Sequence, residues 1–285
     1  MNLDDLPPLR ESLAAHDLAA KKAFGQHFLL DLNITRKIAR LAGPLDGLAV
    51  IEVGPGPGGL TRALLEAGAR VIAVEKDRRF LPLLGELAEA ARGALIVVEA
   101  DALKVDEAAL LAEHAPGLEA RIVSNLPYNV GTALLIKWLV GAFRPGGMAL
   151  MFQKEVAERI AASVGSEAYG RLSVIAQALC EAELVMELPA RAFTPPPKVA
   201  SAVVRLTPLE DRPMDALVQA LEAVTAAAFG QRRKMLRSSL RTLGGESLCA
   251  AAGIDADSRA EVVPVAGFLA LANALNARES DFTGR

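Results

Sequence analysis

Five short apolar runs punctuate the first half of the chain from about Leu48 onward: Ala49 to Val53, Arg70 to Val74, Ala94 to Val98, Arg121 to Ser124 and Met148 to Phe152. Helical patterns such as Thr61 to Ala67 lie between them. That alternation predicts a parallel sheet flanked by helices. A later pair of runs, Ala182 to Leu188 and Ala200 to Leu206, is joined through Pro189 and Thr194-Pro195-Pro196-Pro197-Lys198. With no helical pattern between them, the pair is predicted to be antiparallel and to close one edge of the sheet. The pattern breaks at Asp211-Arg212-Pro213, and no strand is predicted beyond it. Met214 to Phe229, Arg232 to Leu243, Glu246 to Ala252 and Ala266 to Ala277 read as helices with glycines at their ends.

The boundary therefore falls near Leu209 to Pro213. Residues 1–209 are expected to form a Rossmann-like α/β domain, mostly parallel with one antiparallel edge strand. Its amino-terminal segment, 1–47, is expected to be helical, with a helix from Leu9 to Ala20. Residues 210–285 are expected to form a smaller all-helical domain.

Composition narrows the class. At 285 residues the chain is long enough for one large domain and one small one, and a hydrophobic content of 52% excludes global disorder. No stretch reaches about 18 uninterrupted apolar residues, and the acidic start Met1 to Asp5 is unlike a signal sequence. The expectation is a soluble cytoplasmic protein with no membrane partner. The two cysteines, Cys180 and Cys249, are far apart, with no CxxC spacing and only three histidines in the chain, so neither a disulfide framework nor a metal site is expected. The net charge of −3 excludes a polycation that binds nucleic acid indiscriminately. The distribution of charge matters more: no acid occurs between Ala223 and Gly245, a stretch holding Arg232, Arg233, Lys234, Arg237 and Arg241. Read as one helix, it has Leu236, Leu240 and Leu243 as an apolar stripe with Arg233, Arg237 and Arg241 beside it at i, i+4 spacing. Such a face is either solvated or a phosphate contact.

The chemistry concentrates at strand ends, where α/β sheets bind ligands. Asn125-Leu126-Pro127-Tyr128 follows the fourth run. There the Asn125 side-chain oxygen and the Leu126 carbonyl can each accept one N–H of an exocyclic amine, Pro127 stiffens the turn and Tyr128 offers a ring for stacking. The tetrapeptide also fits an ordinary strand-to-helix turn. Glu52-Val53-Gly54-Pro55-Gly56-Pro57-Gly58-Gly59 follows the first run, and Glu75 lies 21 residues after Gly54. Gly54, Gly56 and Gly59 fit a dinucleotide fingerprint with Glu75 as its ribose acid, which leaves a nicotinamide-dependent oxidoreductase open. The prolines favour a different nucleoside cofactor. Pyrophosphate needs backbone N–H groups and Pro55 and Pro57 remove two, whereas S-adenosylmethionine has no phosphate and loses nothing. Asp101 after the third run can accept from an adenine amine, with the Ala102 N–H beside it; helix N-capping is the plainer role for such an acid. His27 by itself carries no function.

Together, Phe24-Gly25-Gln26-His27-Phe28-Leu29, Glu52-Val53-Gly54-Pro55-Gly56, Asn125-Leu126-Pro127-Tyr128-Asn129, Gln153-Lys154-Glu155-Val156, Tyr169-Gly170-Arg171-Leu172-Ser173-Val174, Phe193-Thr194-Pro195-Pro196-Pro197-Lys198-Val199 and Gln231-Arg232-Arg233-Lys234 resemble the ribosomal RNA adenine N6-methyltransferases, a family that includes small-subunit dimethyltransferases and erythromycin-resistance methyltransferases. The resemblance runs from about Lys21 to the final helices. It implies an S-adenosylmethionine-dependent methyltransferase fold, with His27, Leu29, Gly54, Gly56, Glu75, Asp101, Ala102 and Asn125 around the cofactor. It also implies a target adenine held by Asn125, Leu126, Pro127 and Tyr128, with Phe193 near the base from the opposite side. Many members carry Asn where this chain has His27, whose neutral ring can donate one hydrogen bond to the methionine end. Given such a fold, phosphate contact by Arg232, Arg233, Arg237 and Arg241 is the favoured reading of the basic segment. The implied reaction is dimethylation of two adjacent adenosines in the 3′-terminal hairpin loop of 16S ribosomal RNA, by a monomer acting on the immature small subunit. The long Pro195-Pro196-Pro197 loop and the carboxyl-terminal segments favour the small subunit over a large-subunit substrate. An assembly factor whose binding matters more than its catalysis is a further alternative.

Overall fold

Every one of the five short apolar runs between Ala49 and Phe152 becomes a strand. The computed structural model describes residues 3–18 and 26–283. In chain order the strands are β1 (Phe28–Leu29), β2 (Ala49–Val53), β3 (Arg70–Glu75), β4 (Leu95–Glu99), β5 (Ala120–Asn125), β6 (Met148–Gln153), β7 (Cys180–Leu188), β8 (Phe193–Thr194) and β9 (Ser201–Pro208). The helices are α1 (Leu9–Ala15), α2 (Leu32–Leu41), α3 (Gly59–Glu66), α4 (Leu81–Ala90), α5 (Glu107–His114), α6 (Gly131–Val140), α7 (Lys154–Ile160), α8 (Arg171–Leu179), α9 (Asp215–Gly230), α10 (Leu236–Ser239), α11 (Gly245–Ala251) and α12 (Val265–Thr283).

Seven strands form one sheet in the order β4-β3-β2-β5-β6-β9-β7. β4, β3, β2, β5 and β6 pair in parallel, β9 runs antiparallel to β6, and β7 forms the edge beyond it. All five residues of β2 are buried, which explains why a parallel strand reads as a continuous apolar run rather than an alternating one. Strand order reverses around β2: the chain moves outward to β3 and β4 on one side, then returns to lay β5 on the other. This is the topological switch point, where the carboxyl ends of neighbouring strands diverge and leave a crevice.

The chain divides into two compact units. The first contains Met1–Leu135, Phe143–Ala157 and Glu183–Thr207; the second contains Ile136–Ala142, Glu158–Ala182 and Pro208–Arg285. In the second, Phe229 stacks on Phe268 at 5.4 Å between ring centroids, and the buried Tyr169 donates its hydroxyl to the Val263 carbonyl at 2.9 Å.

Two sequence expectations are corrected, and one pairing is added. The first helix stops at Ala15 rather than Ala20, because Asp17 adopts a positive φ of 49° that no continuing helix allows; residues 19–25, including Phe24 and Gly25, lie outside the described residues. The segment Arg232 to Leu243 is not one helix. Arg232 to Lys234 form a turn, closed by the Lys234 N–H on the Gln231 carbonyl, and the Leu236 and Arg237 N–H groups donate to Ser258 and Ala256. Met235 meanwhile bridges Arg259. These outward bonds take the backbone donors that a longer helix would need, leaving only α10 and a 3-10 turn at Arg241–Leu243. Finally, β1 and β8 form a separate antiparallel ribbon, Phe28 opposite Thr194 and Leu29 opposite Phe193, which local patterning did not reveal.

Candidate active site

Two adjoining pockets in the first unit open at the carboxyl ends of β2, β3 and β5. Gly54 and Pro127 line both. The backbone is close here: a Cβ at Gly54, whose φ is +67°, would stand 3.2 Å from Pro127 Cγ. Only a glycine satisfies both the left-handed φ and the contact.

The larger pocket, about 260 Å³, is lined by Val53, Glu75, Lys76, Asp101, Ala102 and Val130 among others. Glu75 ends β3 and is buried, with Oε1 accepting the Asp77 N–H at 2.8 Å and Oε2 the Gly56 N–H at 3.1 Å. Burial pushes this carboxyl above its ordinary range, while the backbone N–H groups of Asp77, Gly56 and Lys76 act against the rise. They also fix its orientation, and the carboxylate retains acceptor capacity for a hydroxyl. Asp101 accepts from the Leu103 N–H at 3.1 Å and from Lys76 Nζ at 2.8 Å. The Lys76 ammonium, followed by the Leu103 N–H, holds Asp101 below the usual carboxylate range. Asp101 thus caps the 3-10 turn at Ala102–Lys104 while lining the pocket, so capping does not withdraw it from that surface.

The smaller pocket, about 70 Å³, is lined by Gln26, His27, Glu52, Gly56, Asn125 and Tyr128 among others. Asn125 ends β5 and donates its amide to the His27 carbonyl at 3.3 Å. Since a carbonyl can only accept, the Asn125 NH₂ must lie on that side, and Oδ1 remains an acceptor. Leu126 is buried as a whole residue yet is among the residues that line this pocket, and its backbone carbonyl accepts no hydrogen bond among the described residues. Tyr128 is half-buried, its hydroxyl 2.6 Å from Ser201 Oγ at the start of β9. Burial raises its phenol and the serine bond opposes this. The His27 ring lies 5.5 Å from the Tyr128 ring and its Nδ1 is 2.8 Å from the Pro195 carbonyl.

The chemistry of the turn discriminates between cofactors. The N–H groups of Gly54, Gly56 and Gly58 are all engaged within the protein, by the Val74 carbonyl, Glu75 and the Pro55 carbonyl. With Pro55 and Pro57 offering none, these five turn residues have no donor for a pyrophosphate. A nucleoside sulfonium needs none, so the donor set fits S-adenosylmethionine. Among the described residues there is no cluster of three metal-ligating side chains.

Several groups here were not singled out from sequence. Glu52, in the middle of a fully buried strand, accepts the Thr61 hydroxyl at 2.6 Å. Burial pushes its carboxyl up to about 8, against the Thr61 hydrogen bond and with help from the charge of Glu75. An acid within an apolar run was the signal available. Gln26 donates to Asp77 at 3.0 Å, beside the Asp77–Arg79 pair that holds this acid down at about 2; nothing in the sequence linked positions so far apart. Phe193 is buried opposite Leu29 in the ribbon and lines neither pocket. In the second unit, Arg232 donates to the Glu167 carbonyl and lies 3.6 Å from Glu261, and Arg237 pairs with Asp257 at 3.0 Å. Arg233, Lys234 and Arg241 are exposed and have no ionic partner among the described residues.

Comparison with known proteins adds the following. A family model described as ribosomal RNA adenine dimethylase matches residues 18–277. A ribosomal RNA small subunit methyltransferase A from Phenylobacterium zucineum is 69% identical over 278 residues, covering 98% of this chain and 96% of the relative. One of the same name from Caulobacter vibrioides is also 69% identical, over 255 residues, 90% of this chain and 97% of the relative. Among solved structures, a dimethyladenosine transferase from Plasmodium falciparum aligns with a TM-score of 0.73 at 25% identity, covering 89% of this chain and 98% of the other. The 23S rRNA methyltransferase ErmE aligns at 0.67 with 27% identity, covering 87% and 99%.

Proposed function

Because the chain belongs to the ribosomal RNA adenine dimethylase family, we propose that it dimethylates N6 of two adjacent adenosines in the 3′-terminal hairpin loop of 16S ribosomal RNA, on small subunits still being assembled. The protein is an S-adenosylmethionine-dependent small-subunit ribosomal RNA adenine dimethyltransferase. The observation that carries the residue assignments is the oriented Asn125 amide, whose nitrogen is held by the His27 carbonyl and whose oxygen accepts no hydrogen bond among the described residues.

In this reading Glu75 accepts the ribose hydroxyls of the cofactor, Asp101 and the Ala102 N–H take its adenine, and Gly54 and Gly56 allow close backbone approach. His27, Leu29 and Asn125 lie around the methionine end. S-adenosylmethionine supplies the electrophilic methyl group, so the protein's task is placement. An adenine amine is a weak nucleophile because its lone pair is delocalised into the ring. Asn125 Oδ1 and the Leu126 carbonyl, by accepting its two N–H groups, favour a nitrogen whose lone pair points out of the ring plane. Pro127 keeps those acceptors rigid and Tyr128 holds the base through its face, its hydroxyl being tied to Ser201. Holding nitrogen and methyl carbon in line recovers up to about 7–11 kcal/mol of barrier in well-oriented systems. Asn125 is no base, and the amine proton leaves to solvent as charge develops. The base must be unpaired or flipped, at a cost of a few kcal/mol that a hairpin loop keeps small.

Phe193 supports the ribbon beside the base. Arg232, Arg233, Arg237 and Arg241 contact RNA phosphates, with Arg233 and Arg241 the more available since their neighbours are paired with protein groups. The enzyme acts as a cytoplasmic monomer. Incubation of undermethylated small subunits with labelled S-adenosylmethionine, followed by mapping of the modified nucleosides, tests the proposal: label must appear as dimethyladenosine at two adjacent positions in the terminal hairpin. Likeness to ErmE makes large-subunit RNA the control substrate, and label there instead would reverse the assignment.

A further inference from the structure

The ribbon of β1 and β8 joins two sides of the site. Its first strand continues from His27, against the glycine turn: a Cβ at Gly56 would meet the Phe28 ring at 3.4 Å, and one at Gly59 the Leu29 carbonyl at 2.5 Å. Its second strand leads into Pro195. His27 fastens both ends of this arrangement. Its ring Nδ1 lies 2.8 Å from the Pro195 carbonyl, and its own carbonyl accepts the Asn125 amide. Because a carbonyl only accepts, Nδ1 must carry the proton, so a neutral ring has no N–H left for a cofactor carboxylate.

We propose that His27 is a positioning residue that couples cofactor binding to capture of the target base, by latching the Pro195 loop to the segment that orients Asn125. The inference rests on the methyltransferase reading above. Cofactor packed on the β1 segment steadies His27, and His27 in turn steadies the Pro195 loop and the Asn125 amide. By linkage, each ligand then tightens the other.

The test is the affinity of undermethylated small subunits for the protein with and without saturating S-adenosylhomocysteine. Wild type should bind at least about fivefold more tightly with it, the lower range of such couplings. His27→Phe keeps a ring against Tyr128 but no donor, and its ratio should fall to about one. His27→Gln, which keeps an N–H, should recover most of the ratio. The latch is overturned if His27→Phe couples like wild type. It is equally overturned if wild type methylates subunits yet shows no coupling. Failure of wild type to methylate subunits at all would instead refute the underlying function.

Discussion

Glu52→Gln should make this enzyme more stable, and increasingly so as pH rises. The carboxyl sits in a fully buried strand and burial moves it from an ordinary 4.5 to about 8. At neutral pH the folded protein therefore holds a proton that the unfolded chain has released. A group raised in this way contributes its full stability below 4.5, and the contribution is lost as pH climbs towards 8. At about 1.4 kcal/mol per pH unit, the loss reaches roughly 3 kcal/mol by neutral pH and, with the folded carboxyl then half ionised, roughly 4 kcal/mol by pH 8. Gln is neutral and of the same shape, and its oxygen still accepts from Thr61, so the variant avoids that loss. For a chain of this size, 3 kcal/mol corresponds to a melting temperature roughly 6–12 °C higher. Scanning calorimetry of both proteins between about pH 5 and pH 8 would show the gap opening from roughly 2 °C upward. A gap that does not change with pH, or a variant less stable than wild type at pH 8, would refute the claim that Glu52 is protonated in the folded state.

Asn125→Ala should lower single-turnover methyl transfer at least about a hundredfold, the scale of losing one oriented polar group that acts in the transition state, while the affinity for S-adenosylhomocysteine measured by calorimetry falls less than about tenfold. Loss of cofactor binding with undiminished turnover per bound cofactor would contradict the assignment. Tyr128→Phe should keep most activity and lose only about 1 kcal/mol of stability with the Ser201 hydrogen bond, whereas Tyr128→Ala should weaken capture of RNA; equal damage from both would make the hydroxyl, not the ring, the working group. Replacing Arg233, Lys234 and Arg241 together by Gln should reduce the slope of log affinity against log salt by roughly 2, as read in filter binding of small subunits. An unchanged slope would place the RNA elsewhere.

Much of this was legible in the chain because parallel strands buried on both faces must be continuously apolar, and β2, β3, β5 and β6 each start within one residue of the expected position. Polar residues following such runs stand at strand ends by necessity, which is why Glu75, Asp101 and Asn125 could be singled out. Gly54 announced itself by its need for a positive φ. What the chain did not reveal are pairings between distant segments. The ribbon of Phe28–Leu29 with Phe193–Thr194 is two residues long and has no periodicity to detect. The bonds from Leu236 and Arg237 to Ser258 and Ala256 take backbone donors away from a helix that local propensity favours, so only tertiary structure decided where the basic residues project. It also decided which face Asn125 shows to a ligand: an amide has two chemically opposite ends, and the His27 carbonyl, 98 residues away, selects between them.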